Sequence, residues 1–363
     1  MRVCVAGGGL AGSLLAWRLA QLPGTQVDLL TGPAGGTGIR PIVGGTGARP
    51  DAGGTEVRPA ADATAASGGA VRAYDALAAQ RRLAIASLAE LLGSRVLRDW
   101  ARYRETGFAY LREDGTHLAA ELAEIERELP GSADLTSPAE AFGARDGGPG
   151  WAGDQEEVVI RERRAGVTSP AHLRDAVVAD LAARPGARVR DGVLDGLTAG
   201  AYDAVVLAAG AWTPGLLRAL GLPAQGYRTR SIQYTVYDAG PVRPTAFADE
   251  RTGLYGLPTA DGGMLIGLPT TQWDVPAGPG AVTGVLHERA VRVAAACLPR
   301  LKLGQARHRV AAADCFCDPP VLALRPAGGP LPGLFTFTGG SGGCAKTALA
   351  ASQRAALQLT EAS

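Results

Sequence analysis

Arg2-Val3-Cys4-Val5-Ala6-Gly7-Gly8-Gly9-Leu10-Ala11-Gly12 opens the chain with an apolar run that turns into glycines. An amphipathic stretch from Ser13 to Leu22 follows, Pro23-Gly24 stops it, and Val27-Asp28-Leu29-Leu30 is a second apolar run. This order predicts strand, glycine turn, helix and strand within about 30 residues. Gly7, Gly9 and Gly12 stand at GxGxxG spacing in that setting, which reads as a dinucleotide fingerprint. Gly7 permits the tight turn, Gly9 lets backbone approach a pyrophosphate, and Gly12 lets helix and strand pack closely. The helix start at Leu10 and Ala11 offers free amide groups and positive dipole to the anion. The fingerprint also expects an acidic residue after the second strand, for a ribose hydroxyl. Thr31 stands there instead, and Asp28 lies on the strand itself. A hydroxyl holds ribose more weakly than a carboxylate does.

Working outward, 363 residues suggest about two domains. With 46% hydrophobic and 20% charged residues the chain has material for a sizeable core, which excludes global disorder. No apolar run reaches the roughly 20 residues of a membrane span. The N-terminus turns glycine-rich too soon for a signal peptide. A net charge of +1 without basic blocks argues against nucleic-acid or anionic-membrane partners. Five cysteines make no disulfide framework, so a reducing cytoplasmic setting is expected. Four histidines show no zinc-ligand spacing, and no metal is expected. Lys302 and Lys346 are the only lysines in a chain of 51 glycines and 24 prolines. A bias toward Ala, Gly, Arg and Pro codons explains that scarcity, and it singles out each lysine that remains.

Residues 32–60 carry Gly, Pro and Thr without an apolar period and read as an irregular loop. Helices are predicted over 70–96, 116–129, 172–183 and 282–298, and from about Thr347. Strands are predicted over 107–112, 203–209, 229–237, 254–257, 264–268 and 334–338, with a turn at Asp261-Gly262-Gly263 and a linker over 144–153. Parallel-type units at the start, near 165–220 and at the end enclose antiparallel strands. The fold class is therefore α/β with two domains: a Rossmann-like nucleotide domain interrupted by an antiparallel-sheet substrate domain. We assign 1–90, 151–222 and 312–363 to the first and 91–150 and 223–311 to the second.

Three segments give the chain a resemblance to flavoenzymes of the D-amino-acid oxidase superfamily, sarcosine oxidase and glycine oxidase in particular. They are Val5 to Ser13, Ala204-Val205-Val206-Leu207-Ala208-Ala209-Gly210-Ala211-Trp212-Thr213-Pro214, and Gly333-Leu334-Phe335-Thr336-Phe337-Thr338-Gly339-Gly340-Ser341-Gly342-Gly343-Cys344-Ala345-Lys346. Leu254 to Pro258 and Met264 to Gly267 agree more weakly, and 32–160 match poorly. The resemblance implies FAD, bound along Gly7 to Gly12, Thr31, Ala209, Gly210, Trp212 and the Gly340-Ser341-Gly342-Gly343 loop. It implies oxidation of an amino acid or cyclic amine by hydride transfer to flavin N5, with O2 or another acceptor taking the electrons.

In the resembled family the last loop passes the flavin ring, and its lysine, matched by Lys346, meets the substrate carboxylate. Read without the family, Lys346 is a solvated surface lysine. Arg72 stands where the family places a carboxylate clamp, a role for which a forked guanidinium is suited; Arg325 is the alternative. Cys315, in Asp314-Cys315-Phe316-Cys317, matches a cysteine that bonds covalently to the flavin in sarcosine oxidases, which a thiolate of lowered pKa can do. Otherwise it is a small buried hydrophobe. Leu265 replaces the lysine that promotes reaction with oxygen, so slow oxygen use or a different acceptor is implied. Tyr234, Tyr237, Tyr255 and Trp273 are candidate walls, with Tyr255 assigned to the catalytic set. Ser231, Gln233, Thr235 and Tyr237 share one strand face. Two rivals stay open: a flavin monooxygenase or halogenase, and a flavin-binding subunit without turnover.

Overall fold

The computed structural model describes residues 1–32, 49–50, 56–60, 62–113, 115–143, 148–153, 157–192, 201–224, 226–240, 245–328 and 333–361. Most of the expected 32–60 loop, and 144–147 of the expected linker, lie outside the described residues.

Six strands form the nucleotide-binding sheet, in the order Ala187–Arg190, Gln26–Leu30, Arg2–Ala6, Ala204–Leu207, Leu334–Thr338 and Ala323–Pro326. The first five run parallel and the last is antiparallel. Parallel strands are covered on both faces, which is why Val3, Val5, Leu29, Val206 and Leu207 are all buried. Helices Leu10–Leu19, Pro170–Ala182, Ala78–Gly93 and Cys344–Glu361 cover the sheet, with Cys344–Glu361 packed against both Leu10–Leu19 and Ala78–Gly93.

A ten-stranded sheet stands beside it, in the order Arg49–Pro50, Glu56–Pro59, Leu303–Cys317, Tyr227–Ala239, Gly263–Gly267, Tyr255–Pro258, Ala246–Asp249, Phe108–Arg112, Val158–Glu162 and Ala133–Thr136. Val158–Glu162, within the segment assigned to the nucleotide domain, thus pairs in the second sheet. A small sheet of Ala70–Val71, Gly166–Val167 and Arg104–Glu105 completes the set.

Period-two alternation gives Tyr227–Ala239 two unlike faces. Tyr234 and Val236 pack with Phe108, Leu257 and Leu265. Tyr237 faces the other way, into a cluster with Ala290 and Ala294 of helix Gly284–Cys297. The polar residues on that side pair with the same helix or its approach. The Thr283 amide donates to Gln233 Oε1 at 2.8 Å, and Thr235 Oγ1 lies 2.6 Å from His287 Nδ1. Burial pushes the His287 imidazole down to about 4. The unfolded chain then binds a proton between about pH 6.5 and 4 that the fold does not, so stability rises with pH across that window. Denaturant unfolding should show a loss on the order of 1–3 kcal/mol on acidification from pH 7 to 4, absent in His287→Gln.

Two helix starts stand out against expectation. The helix predicted over 70–96 begins at Ala78, because the buried Glu162 carboxylate accepts the Ala73 and Tyr74 amides at 2.6 and 3.0 Å and takes them out of any helix. The last helix begins at Cys344, not near Thr347. Leu303–Cys317 is the longest strand in the described residues and is not among those the sequence predicts.

Candidate functional site

The site is built where the two large sheets meet, from three turns and one sheet face. At the first turn Gly7 has φ +131°, and a side chain there would overlap the Ala208 carbonyl oxygen. A methyl at Gly12 would overlap the Gly7 carbonyl oxygen, so strand end and helix start touch through bare backbone. Gly9 differs. Its φ of −71° suits any residue, and a methyl there would meet only Thr64 Oγ1, at 3.4 Å. Nothing in the protein requires glycine at position 9, but a pyrophosphate resting on the helix start does. The residues present therefore fit FAD. The Leu10 amide, expected to be free for the anion, instead donates to Thr64 Oγ1 at 3.0 Å, which brings Thr64 to the same helix start.

Thr31 Oγ1 lies 3.3 Å from both the Arg190 carbonyl oxygen and an Asp191 carboxylate oxygen, at the end of its strand. Asp28 is buried on the strand, where Tyr202 donates to it at 2.7 Å and Arg2 lies at 3.4 Å. The second turn, Gly210–Trp212, follows Ala208 and Ala209 next to Gly7.

The third turn crosses the end of the second sheet. Phe316 bridges Gly340, the Ser341 amide donates to the Cys315 carbonyl at 3.2 Å, and the Gly342 amide donates to the Asp314 carboxylate at 3.0 Å. Asp314 is directly opposite Arg230 in the ladder, so both share the face that carries Tyr234. Sequence reasoning missed this pair. Cys315 takes the opposite face, is fully buried, and its thiol is pushed by burial up to about 12. That direction is the reverse of what a thiolate nucleophile needs.

Lys346 follows the third turn, on the first turn of the last helix, and lines a cavity with Leu10, Val71, Thr168, Pro170 and Leu349. It is not solvated. Its Nζ pairs with Asp75 Oδ2 at 2.6 Å, with the two side chains 11% and 17% exposed. Burial, helped by the Arg72 charge, lowers the Lys346 ammonium to about 8. Burial works to raise the Asp75 carboxyl, but the Lys346 and Arg72 charges prevail and hold it below its ordinary range. Arg72 donates to the Tyr74 carbonyl and lies over the rings of Tyr110 and Phe108, 4.6 and 5.2 Å from their centroids. Glu162, 1% exposed, has its carboxyl raised by burial against the pull of Arg72 and Lys346. The expected Arg72 and Lys346 are thus brought together, and with them come Asp75 and Glu162, which were not expected.

Tyr255 donates to the Gln233 carbonyl at 3.1 Å, and burial pushes its phenol up. It lies on the face that carries Tyr234, over Gly267, where a side chain would collide with its ring. Leu265 is buried on this face, and a methyl at Gly68 would meet Leu257 and Leu265 at 2.7 and 3.0 Å. Trp273, 38% exposed, packs edge-on against Phe316 at 5.2 Å beneath the Arg228 and Arg230 guanidinium groups, each 4.9 Å from its ring. Tyr237, on the helix-covered face, is no wall of this site. Arg325 donates to the Val321 carbonyl at 2.7 Å and lies 3.4 Å from the Pro319 and Thr338 carbonyls. It braces the 319–323 turn.

A family model described as FAD dependent oxidoreductase matches residues 55–357. Solved structures with the same fold include L-proline dehydrogenase from P. horikoshii, at TM-score 0.74 and 16% identity over 99% of this chain and 93% of that one. Glycine oxidase from Bacillus cereus ATCC 14579 follows at TM-score 0.68 and 16% identity, over 99% and 97%. Iminodiacetate oxidase from Chelativorans sp. BNC1 reaches 0.67 and 18%, over 98% and 95%. No curated protein matches the chain by sequence.

Proposed function

The chain belongs to the DAO family of FAD-dependent oxidoreductases, and from that premise we propose that it oxidises the C–N bond of an amino acid or cyclic amine to the imine. The observation that carries this reading is the meeting of the Arg72 and Lys346 charges with an aromatic sheet face, beside the glycine turns that bare their backbone for a cofactor. Bound FAD supplies the hydride acceptor, N5 of its ring. Gly7 to Gly12 with Leu10 and Ala11, Thr31, Ala209 to Trp212 and Gly340 to Gly343 are the residues that would hold it. Tyr234, Tyr255 and Leu265 wall the substrate and exclude water. Tyr255 keeps its proton, because burial disfavours the phenolate and its hydroxyl is committed to a carbonyl. Tyr255 is therefore no base here; the amine binds neutral, hydride loss leaves an iminium, and the iminium gives its N–H proton to water as the imine leaves to hydrolyse or react further.

Leu265 puts no cation beside the acceptor position, so slow reaction with O2, or another acceptor, belongs to this reading. A cytoplasmic setting belongs to it too, supported by five unpaired cysteines, as does a specialised, secondary-metabolic substrate, supported by Leu265 and Asp75. FAD is held without a bond to Cys315. Acid precipitation should then leave all yellow colour in the supernatant; colour retained in the pellet and lost in Cys315→Ala would overturn that point. Anaerobic addition of an amine panel tests the function itself. The expected result is bleaching of the flavin absorbance by at least one amine. Bleaching only by a reduced nicotinamide would favour a monooxygenase, and no bleaching by either would favour a subunit without turnover.

A further inference from the structure

We propose that Asp75 sits where a substrate carboxylate would pair with Lys346, so that the enzyme takes a secondary or cyclic amine lacking a carboxylate. This names a substrate class for the amine-oxidising site proposed above and rests on that reading. Four charged groups meet at this end of the site. Lys346 is already paired at 2.6 Å with Asp75, both largely buried. Arg72 is committed to the Tyr74 carbonyl and to the rings of Phe108 and Tyr110. Glu162 is fixed by two backbone amides at 2.6 and 3.0 Å. Two cations thus face two anions, and the formal sum is zero. A substrate carboxylate would enter as a third anion in a water-poor site, or would have to expel Asp75. A buried charge without its own partner is among the costliest things a protein can hold.

The spare hydrogen-bonding capacity points the same way. Gln80 Oε1 is buried without a partner. Its amide orientation is set by Nε2, which donates to the Pro320 carbonyl. A methyl on Gly343 would lie 2.8 Å from Gln80 Oε1 and 3.4 Å from Lys346 Cε, so the free acceptor borders the third turn beside Lys346. A free acceptor beside Lys346 takes a ligand N–H and would repel a carboxylate placed against it, so it fits the amine end of a substrate at this position and not an acid group. The rest of the wall, with Phe108, Tyr234, Leu257 and Leu265, suits an apolar body.

The test uses the flavin-loaded protein at one fixed pH and two matched pairs, pyrrolidine with proline and piperidine with pipecolate. Binding is read by thermal shift, and turnover by anaerobic bleaching. The wild type should half-saturate with each plain amine at a concentration at least tenfold below that of its acid. Asp75→Asn should bind proline at least tenfold more tightly than the wild type does. Equal or tighter binding of the acids by the wild type overturns the proposal, as does an unchanged ratio in Asp75→Asn or failure of every compound to bind. Should the variant not fold, the wild-type ratios decide. Plain amines that bind as expected but leave the flavin oxidised would sink the oxidation reading while the Asp75 assignment stands.

Discussion

Gly9→Ala should fold like the wild type and lose FAD, whereas Gly12→Ala should lose both. The two glycines are three residues apart in one turn, yet the surroundings of their missing side chains are opposite. At Gly12 a methyl would overlap the Gly7 carbonyl oxygen and lie 2.9 Å from Ala208 Cβ, so helix Leu10–Leu19 would have to move off the sheet. Overpacking usually costs about 1–3 kcal/mol, and a clash with rigid backbone belongs at the top of that range or above it. At Gly9 the methyl meets only a hydroxyl, at 3.4 Å, so the apoprotein midpoint in urea should stay where it is. FAD affinity should fall by at least a hundredfold, about 2.7 kcal/mol, because the methyl takes the space that backbone must leave for the pyrophosphate. Titration of both apoproteins with FAD by fluorescence separates the cases. Unchanged FAD affinity in Gly9→Ala would mean that the nucleotide does not rest on this turn.

That contrast also marks what sequence reading can reach. The central parallel strands announce themselves, because burial on both faces forces apolar runs such as Val3–Ala6 and Ala204–Leu207, whereas the half-exposed edge strand Ala187–Arg190 carries two arginines and gives no such run. The glycine turns are legible for a related reason, since close backbone approach tolerates no other residue. Leu303–Cys317 was hidden because its two ends live differently. Gly304, Gln305 and Arg307 lie toward solvent, while Val310 to Ala313 are buried on both faces, so no single period runs through it. Its partner Tyr227–Ala239 alternates cleanly and was found. At the site, Lys346 was legible through its rarity and its place after the glycine loop. Asp75 and Glu162 were not. Glu162 lies in Arg161-Glu162-Arg163-Arg164, a run that reads as a solvated face, and only the ladder with Phe108–Arg112 turns its carboxylate inward. Composition carries no signal for a charge that tertiary structure buries.

Lys346→Met should be the most destabilising change at the charged cluster, and its pH dependence should identify the cause. Removing the ammonium leaves Asp75 buried with the Arg72 charge and the Leu77 amide at 2.9 Å as its remaining support, and breaking a buried ion pair from one side typically costs about 3–5 kcal/mol. Asp75→Asn should cost less, because the stranded Lys346, already lowered to about 8, can shed its proton while no anion is bound and take it up again when a substrate carboxylate enters. The double variant should lie close to Asp75→Asn, since it buries no unpaired charge. In the wild type the Asp75 carboxyl is held below its ordinary range, so its stabilisation is present above the ordinary carboxylate range and is lost only as the pH falls through the lowered native value. In Lys346→Met burial raises that carboxyl instead, so it takes up its proton on mild acidification. The stability gap between wild type and variant should therefore be wide at pH 7.5 and narrow toward pH 4.5. At the alkaline end the sign reverses for the lysine itself. From about pH 8 upward the unfolded chain holds a proton that native Lys346 has released, so the wild type gains stability there and the methionine variant does not. Urea unfolding of the three variants at pH 4.5, 7.5 and 9.5 reads all of this. A gap that stays constant with pH would mean that lost packing, and not the Lys346–Asp75 charge pair, makes the difference.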